Sequence, residues 1–172
     1  MTAAPRTPPR LHIIGRQDHG KTELVLGLID ALGGRGLRVG VVKHTRHVHE
    51  LDTPGKDSHR HRLAGATPVA VVSGEVTAVY LPDLDPQHPY DRLAPLFADC
   101  DLVLVEGHVD GPGPFVEVWR AALGTPPMAT ERTGITAVVS DDAPDVSVPV
   151  WPRRDLTELL GYLVDLCEPA AP

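Results

Sequence analysis

The amino-acid sequence predicts an α/β fold: a largely parallel sheet flanked by helices, with a β-hairpin added at one side. Three observations predict it. Short apolar runs with the look of strands alternate along the chain with segments of helical spacing. Several of these runs, Asp101–Gly107 (DLVLVEG) above all, are apolar throughout between their polar ends, as strands covered on both faces are. The segment Gly15-Arg16-Gln17-Asp18-His19-Gly20-Lys21-Thr22 stands between the first strand and the first helix. Its pattern, G-x-x-x-x-G-K-T in that context, is the phosphate-binding loop of a P-loop NTPase fold.

Leu11–Ile14 is the first strand, ending at Gly15. From Thr22, residues Leu24, Val25, Leu28, Ile29 and Leu32 recur at helical spacing until Gly33-Gly34 closes the helix. Leu37–Val42 is a second strand, followed by a His-rich loop and a short helix from Asp57 to Ala64. Pro68–Ser73 and Val76–Leu81 form the hairpin, turning at Gly74-Glu75. Pro86–Ala98 is helical only in parts, because Pro89 and Pro95 interrupt it. Phe115–Arg120 is an alternating strand, and the linker Gly124–Pro127 leads to the strand Ile135–Val139. Asp155–Cys167 is an amphipathic helix with Leu156, Leu159, Leu160 and Leu163 on one face.

Residues 1–10, rich in Pro, Thr and Ala, read as a disordered tail, and 11–168 as a single domain. The net charge of −7 argues against gripping nucleic acid through its phosphates. Cys100 and Cys167 lie far apart and form no CxxC pair, which fits a reducing, cytoplasmic setting. Residues 1–10 hold no apolar run of a signal sequence, and no stretch reaches the roughly 18 apolar residues of a membrane span.

Each fixed position of the loop has a chemical reason. Gly15 allows a sharp exit from the strand, and Gly20 lets the backbone close around a β-phosphate. Successive N–H groups and the positive end of the helix then face the anion. Lys21 is placed to reach the β- and γ-phosphates, and the Thr22 hydroxyl to ligate Mg²⁺. Asp18 and His19 complete the loop; Asp-His-Gly-Lys-Thr is also the loop form of translational GTPases. The guanine signature of those proteins, Asn-Lys-x-Asp, cannot occur in a chain without Asn.

Further candidates lie at strand ends. Glu106, closing an apolar strand, is placed to hold Mg²⁺ directly or through water; the alternative is a solvated strand terminus. Asp57, after Pro54-Gly55-Lys56, is either the N-cap of the next helix or a switch-like contact to the metal. Lys43, with His44 and Thr45, sits at the sheet edge where α/β folds bind ligands. Ser140-Asp141-Asp142 follows a strand at the place where such folds read the base. A carboxylate there accepts from guanine N1–H and N2–H₂ and repels the N1 acceptor of adenine. Asp141 is slightly favoured over Asp142. His44, His47, His49, His59 and His61 invite a transition-metal reading, but no Cys or carboxylate completes a ligand set, and a basic, anion-attracting face suits them better.

Together with the P-loop, Leu37–Thr45 (LRVGVVKHT), Asp52–Ala66 (DTPGKDSHRHRLAGA) and Leu104–Arg120 (LVEGHVDGPGPFVEVWR) resemble the molybdopterin-guanine dinucleotide biosynthesis adapter proteins, the MobB family. The resemblance runs from about Leu11 to Asp142. It implies a homodimeric GTP-binding protein, using GTP and Mg²⁺, that assists the molybdenum cofactor guanylyltransferase. Molybdopterin itself is a candidate direct ligand. The chain departs from the family pattern at Gln17, Asp18 and His19, where Gly and Ser are usual. It departs again at Glu23, in place of a second hydroxyl, and at His108-Val109, in place of an aromatic and a basic residue. No Gln or Arg finger is evident near the loop, so hydrolysis is expected to be weak at most. A GTP-dependent metal-insertion chaperone is the alternative, supported by the histidines, and a small-molecule kinase with Glu106 as its base is a third class.

Overall fold

A computed structural model describes residues 7–45, 50–82 and 90–168. They form β1 (Arg10–Ile14), α1 (Lys21–Gly33), β2 (Val39–Lys43), α2 (Asp57–Leu63), β3 (Val69–Val72), β4 (Thr77–Tyr80), β5 (Leu102–Glu106), β6 (Phe115–Val118), β7 (Ile135–Val139), β8 (Val150–Trp151) and α3 (Thr157–Cys167). Six strands make one parallel sheet in the order β2-β5-β1-β6-β7-β8, and β3 pairs with β4 in a separate antiparallel hairpin. The predicted fold class is therefore found. The chain divides into two compact units, residues 1–45 with 94–172, and residues 46–93. The smaller unit carries α2 and the hairpin and is inserted in sequence between β2 and β5.

The central strands of the larger unit are buried on both faces, and alternate residues of each build one core with the helices. Leu11 and Ile13 of β1, Leu102 and Leu104 of β5, and Val116 and Val118 of β6 join a core with Leu24, Val25, Leu28 and Leu32 of α1 and Leu159, Leu160 and Leu163 of α3. The helical spacing read from the sequence is the spacing these buried leucines keep. Leu28 is wholly buried, so its truncation to Ala would cost about 2–5 kcal/mol.

Four details differ from the sequence reading. β8 went unread because it is two residues between Pro149 and Pro152. It is tied to β7 by Val138 N–H to Pro149 O (2.9 Å) and Ser140 N–H to Trp151 O (2.9 Å), and an edge position tolerates the prolines. The terminal helix starts at Thr157 rather than Asp155, whose Oδ1 accepts from the Thr157 N–H at 3.0 Å. Of the segment Pro86–Ala98, Ala94–Phe97 is a 3₁₀ turn, and residues 86–89 lie outside the described residues. At the other end of the chain, β1 takes in Arg10, and Pro9 O accepts from Val103 N–H.

Candidate functional site

The loop between β1 and α1 holds its shape through backbone conformations few side chains allow. Gly15 has φ 145°, and a Cβ there would stand 2.5 Å from the Val118 carbonyl oxygen of the neighbouring strand. Asp18 takes the left-handed region at φ 62°, which Asp tolerates better than most residues. Gly20 (φ 91°) is the N-cap of α1 and offers no side-chain cap, so the first N–H groups of the helix remain open to an anion. Lys21 folds back over the loop, its Nζ donating to Arg16 O at 2.7 Å. Burial lowers its pKa, and the charge of Lys43 adds to that, while Glu106 opposes it. An anion laid on the loop would offset both penalties.

His19 has a different place from the other loop residues. It is almost wholly buried, and both ring nitrogens are taken by the protein. Arg120 N–H donates to Nδ1 at 3.0 Å, which fixes the proton on Nε2, and Nε2 donates to Thr125 Oγ1 at 3.0 Å. Burial, then the charges of Lys21, Arg120 and Arg16, lower its pKa, which keeps the ring neutral. The side chain thus pins the loop to the segment after β6, and only its main chain remains to meet a phosphate. That segment is itself anchored. The Glu117 carboxylate, buried within β6, accepts from Met128 N–H (2.7 Å) and Ala129 N–H (2.8 Å), and Trp119 Nε1 donates to Thr125 O (2.8 Å).

On the β5 side of the loop the groups are paired. Strand register sets Lys43 of β2 and Ile13 of β1 on either side of Glu106. The Glu106 Oε1 accepts from the Thr22 hydroxyl at 2.8 Å and from Lys43 Nζ, with the carboxylate buried. Glu106, Lys43, Lys21, Thr22 and Gly20 share a cleft of about 400 Å³, a size that suits a small polar ligand. The carboxylate and hydroxyl oxygens, converged at the strand end, are the donor set a hard divalent cation takes. Glu106 is therefore no solvated terminus.

On the β6 side the sequence reading missed two residues. Arg120, just past the end of β6, lines the same cleft. Arg153, just after β8, comes up to Gly20 beside it. A Cβ on Gly20 would lie 2.5 Å from Arg120 Nη2 and 2.8 Å from Arg153 Nη2. The sheet order makes this convergence, bringing the ends of β6 and β8 to the loop side, and no sequence spacing announces it.

The remaining candidates are placed as follows. Asp141 Oδ1 accepts from the N–H groups of Arg153 (3.0 Å) and Arg154 (3.1 Å), and its Oδ2 stands 3.2 Å from Arg154 Nε. Asp142 Oδ2 accepts from Ala121 N–H at 2.8 Å. Each acid thus braces the loops beside the cleft through one oxygen. Asp57, in the smaller unit, is not the cap of α2: Lys56 holds that position, and Asp57 is the first helical residue, paired with Arg60 at 3.7 Å. Nor is α2 a free basic face, since Glu50 engages both His59 (3.3 Å) and Arg62. His44 stacks on His108, ring centroids 4.0 Å apart. His47 and His49 lie outside the described residues. Among the described residues no group of three or more His, Cys, Asp or Glu is arranged to hold a metal ion, and no helix is long and apolar enough to cross a membrane.

The parallel sheet with the strand–loop–helix at its centre defines the P-loop NTPase class of fold. The family model described as molybdopterin guanine dinucleotide synthesis protein B, MobB, matches residues 10–141, and the chain belongs to that family. It is 35% identical over 153 residues to the molybdopterin-guanine dinucleotide biosynthesis adapter protein of Escherichia coli, covering 85% of this chain and 86% of that one. It is 38% identical over 120 residues to the protein of the same name from Haemophilus influenzae, covering 69% and 67%. Among solved structures, a MobB homologue from Bacillus stearothermophilus superposes with a TM-score of 0.64 at 25% identity, covering 92% of this chain and 97% of that one. Bacillus subtilis MobB shares the fold, with a TM-score of 0.69 at 24% identity over 95% and 99%.

Proposed function

We propose that this chain is a GTP-binding adapter in the biosynthesis of molybdopterin guanine dinucleotide, assisting the guanylyltransferase that forms the dinucleotide. Membership of the family and the adapter names of its relatives support the pathway. The observation that carries the nucleotide reading is the convergence of Lys21, Thr22, Lys43 and Glu106 on one cleft at the open N-terminus of α1. The loop from Gly15 to Thr22, with the main chain of Asp18 and His19, would cradle the phosphates. Thr22 and Glu106 would hold Mg²⁺, which when bound neutralises charge between the outer phosphates. Lys43 already places a positive charge on Glu106, so metal and lysine would compete for that carboxylate. Asp141, ahead of Asp142, is proposed as the reader of guanine. For Asp141 that role requires the exposed Arg154 side chain to give way.

The cleft would cradle phosphates, and among the described residues it shows no evident activator for a second substrate. Such a site suits holding or delivering nucleotide, or a change of shape on loss of the γ-phosphate. A homodimer in the cytoplasm, slow intrinsic hydrolysis and direct contact with molybdopterin complete the proposal. The metal-insertion alternative has no observation of its own, because His59 and the neighbouring Arg62 are held by Glu50.

The test is association of the purified chain with the guanylyltransferase in GTP, GDP or no nucleotide, followed by dinucleotide formation at limiting GTP. Association that depends on nucleotide state, with faster formation, is expected. No association in any state and no effect on formation would remove the adapter role.

A further inference from the structure

We propose that Arg120 and Arg153 form a two-guanidinium clamp for the inner phosphates, those shared by GTP and GDP, on the side of the loop opposite the metal. The inference rests on the nucleotide-binding reading and adds to it the residues and the phosphates they grip.

Geometry comes first. Both guanidinium tips lie against Gly20, as the 2.5 Å and 2.8 Å distances from its Cβ position show. Two cations so placed repel each other, and no carboxylate forms an ion pair with Arg120 or Arg153 among the described residues. The charges of Asp141, Glu23 and Asp142 reach Arg153 without pairing with it. Asp141 spends its oxygens on two main-chain N–H groups and on Arg154, and Asp142 accepts from Ala121 N–H. The Nε atoms of both arginines are buried without a hydrogen-bond partner. Buried donors of this kind are costly unless something accepts from them. Burial, and then the charge of Arg120, depress the pKa of the Arg153 guanidinium, as expected for a cation waiting for a counter-charge.

The fold says which phosphates. Thr22 and Glu106 mark the metal end of the cleft, and Glu106 arrives on β5, which flanks β1 on one side. Arg120 arrives on β6, which flanks β1 on the other, and Arg153 follows β8 beyond it. A cation held by Thr22 and Glu106 on the β5 side would serve the outer phosphates and would leave the inner ones to the β6 side. The planar fork of arginine, with its several donors, suits two oxygens of a phosphate better than lysine does.

The experiment titrates the full-length wild type, Arg120→Gln, Arg153→Gln and Arg120→Lys with GTP and GDP, each with Mg²⁺. Both Gln variants should weaken GTP and GDP by similar factors, roughly tenfold, and Arg120→Lys should recover only part of the loss. The two arginines come from different loops, so one variant reports if the other fails to fold. Thermal melts without nucleotide give a second readout. Relief of repulsion should leave the apo midpoint unchanged or raised in either Gln variant, and inorganic pyrophosphate should raise the midpoint of wild type more than that of the variants. Wild-type affinity retained in both Gln variants would overturn the clamp, and so would a loss confined to GTP, which would place the arginines at the γ-phosphate. A wild type that binds neither nucleotide would instead overturn the underlying nucleotide reading.

Discussion

The two flanks of the phosphate loop are built on opposite principles. On the β5 flank the charges are paired: the buried Glu106 carboxylate accepts from Thr22 and Lys43, whose side chains reach it from the surface. On the β6 flank two arginines meet over Gly20 with no carboxylate between them and with buried donors left over. The paired flank is self-sufficient and must exchange a partner to admit a cation. The unpaired flank stores electrostatic cost that an anion would relieve. A chain that carries both beside one open helix N-terminus is arranged for a ligand with negative charge throughout and a cation at one end.

Lys21 stands between the flanks, so its removal should have the largest effect. Lys21→Ala should weaken GTP binding tenfold or more, since a charge-assisted contact is worth about 1.5–3 kcal/mol. Calorimetric titration of folded variant protein checks this, and unchanged affinity would break the comparison at its centre. Next in size is base selectivity, which tests whether the braced acids beyond the β6 flank do more than hold loops. Wild type should prefer GTP over ATP, and Asp141→Ala should erode that preference about tenfold, the value of a lost charged hydrogen bond. Equal affinities in wild type would assign Asp141 wholly to bracing Arg153 and Arg154.

Gly20→Ala probes the close approach of the arginines without touching them. The added methyl meets two guanidinium tips at a backbone φ of 91°, so a stability loss of about 1–3 kcal/mol is expected in denaturant unfolding. A neutral substitution would mean that the arginines move aside freely and that the unpaired flank is not rigid.

The smallest effect concerns His19, which joins the loop to the β6 flank. Its folded pKa lies below the ordinary 6.5 because of burial. Protons therefore bind the unfolded chain more readily. The stability held by the neutral ring is present above that value and lost as pH falls through it. The unfolding midpoint should drop between about pH 7.5 and about pH 5.5. His19→Gln, which can accept from Arg120 N–H and donate to Thr125, should flatten part of that drop. An unchanged slope would assign the pH response to other groups, such as the buried His12, whose pKa is also lowered by burial.

How much of this was legible in the sequence follows the range of the interaction. The loop, its Lys21 and Thr22, and the apolar strands were legible because their signals are contiguous. Glu106 was legible because a carboxylate at the end of an apolar strand is unusual. The pairing of Glu106 with Lys43 needed strand register, which places β5 between β1 and β2 although their sequence order differs. Arg120 and Arg153 were illegible as a pair because only the sheet order brings the ends of β6 and β8 to Gly20. His19 looked like a ligand residue because of its motif position, and its burial against Thr125 depends on a linker packed by Glu117. Asp57 looked like a cap because Asp favours that position, but the helix begins one residue earlier, so the acid stands in the first turn.

The central claim is that the two flanks hold different parts of one ligand. It is tested most directly by measuring GTP affinity with and without Mg²⁺ in wild type, Glu106→Gln and Arg120→Gln. The account predicts that Glu106→Gln loses the Mg²⁺-dependent gain in affinity while its metal-free affinity is retained. It predicts that Arg120→Gln weakens binding by a similar factor in both conditions. Loss of Mg²⁺ dependence in Arg120→Gln, or the same response in both variants, would contradict it.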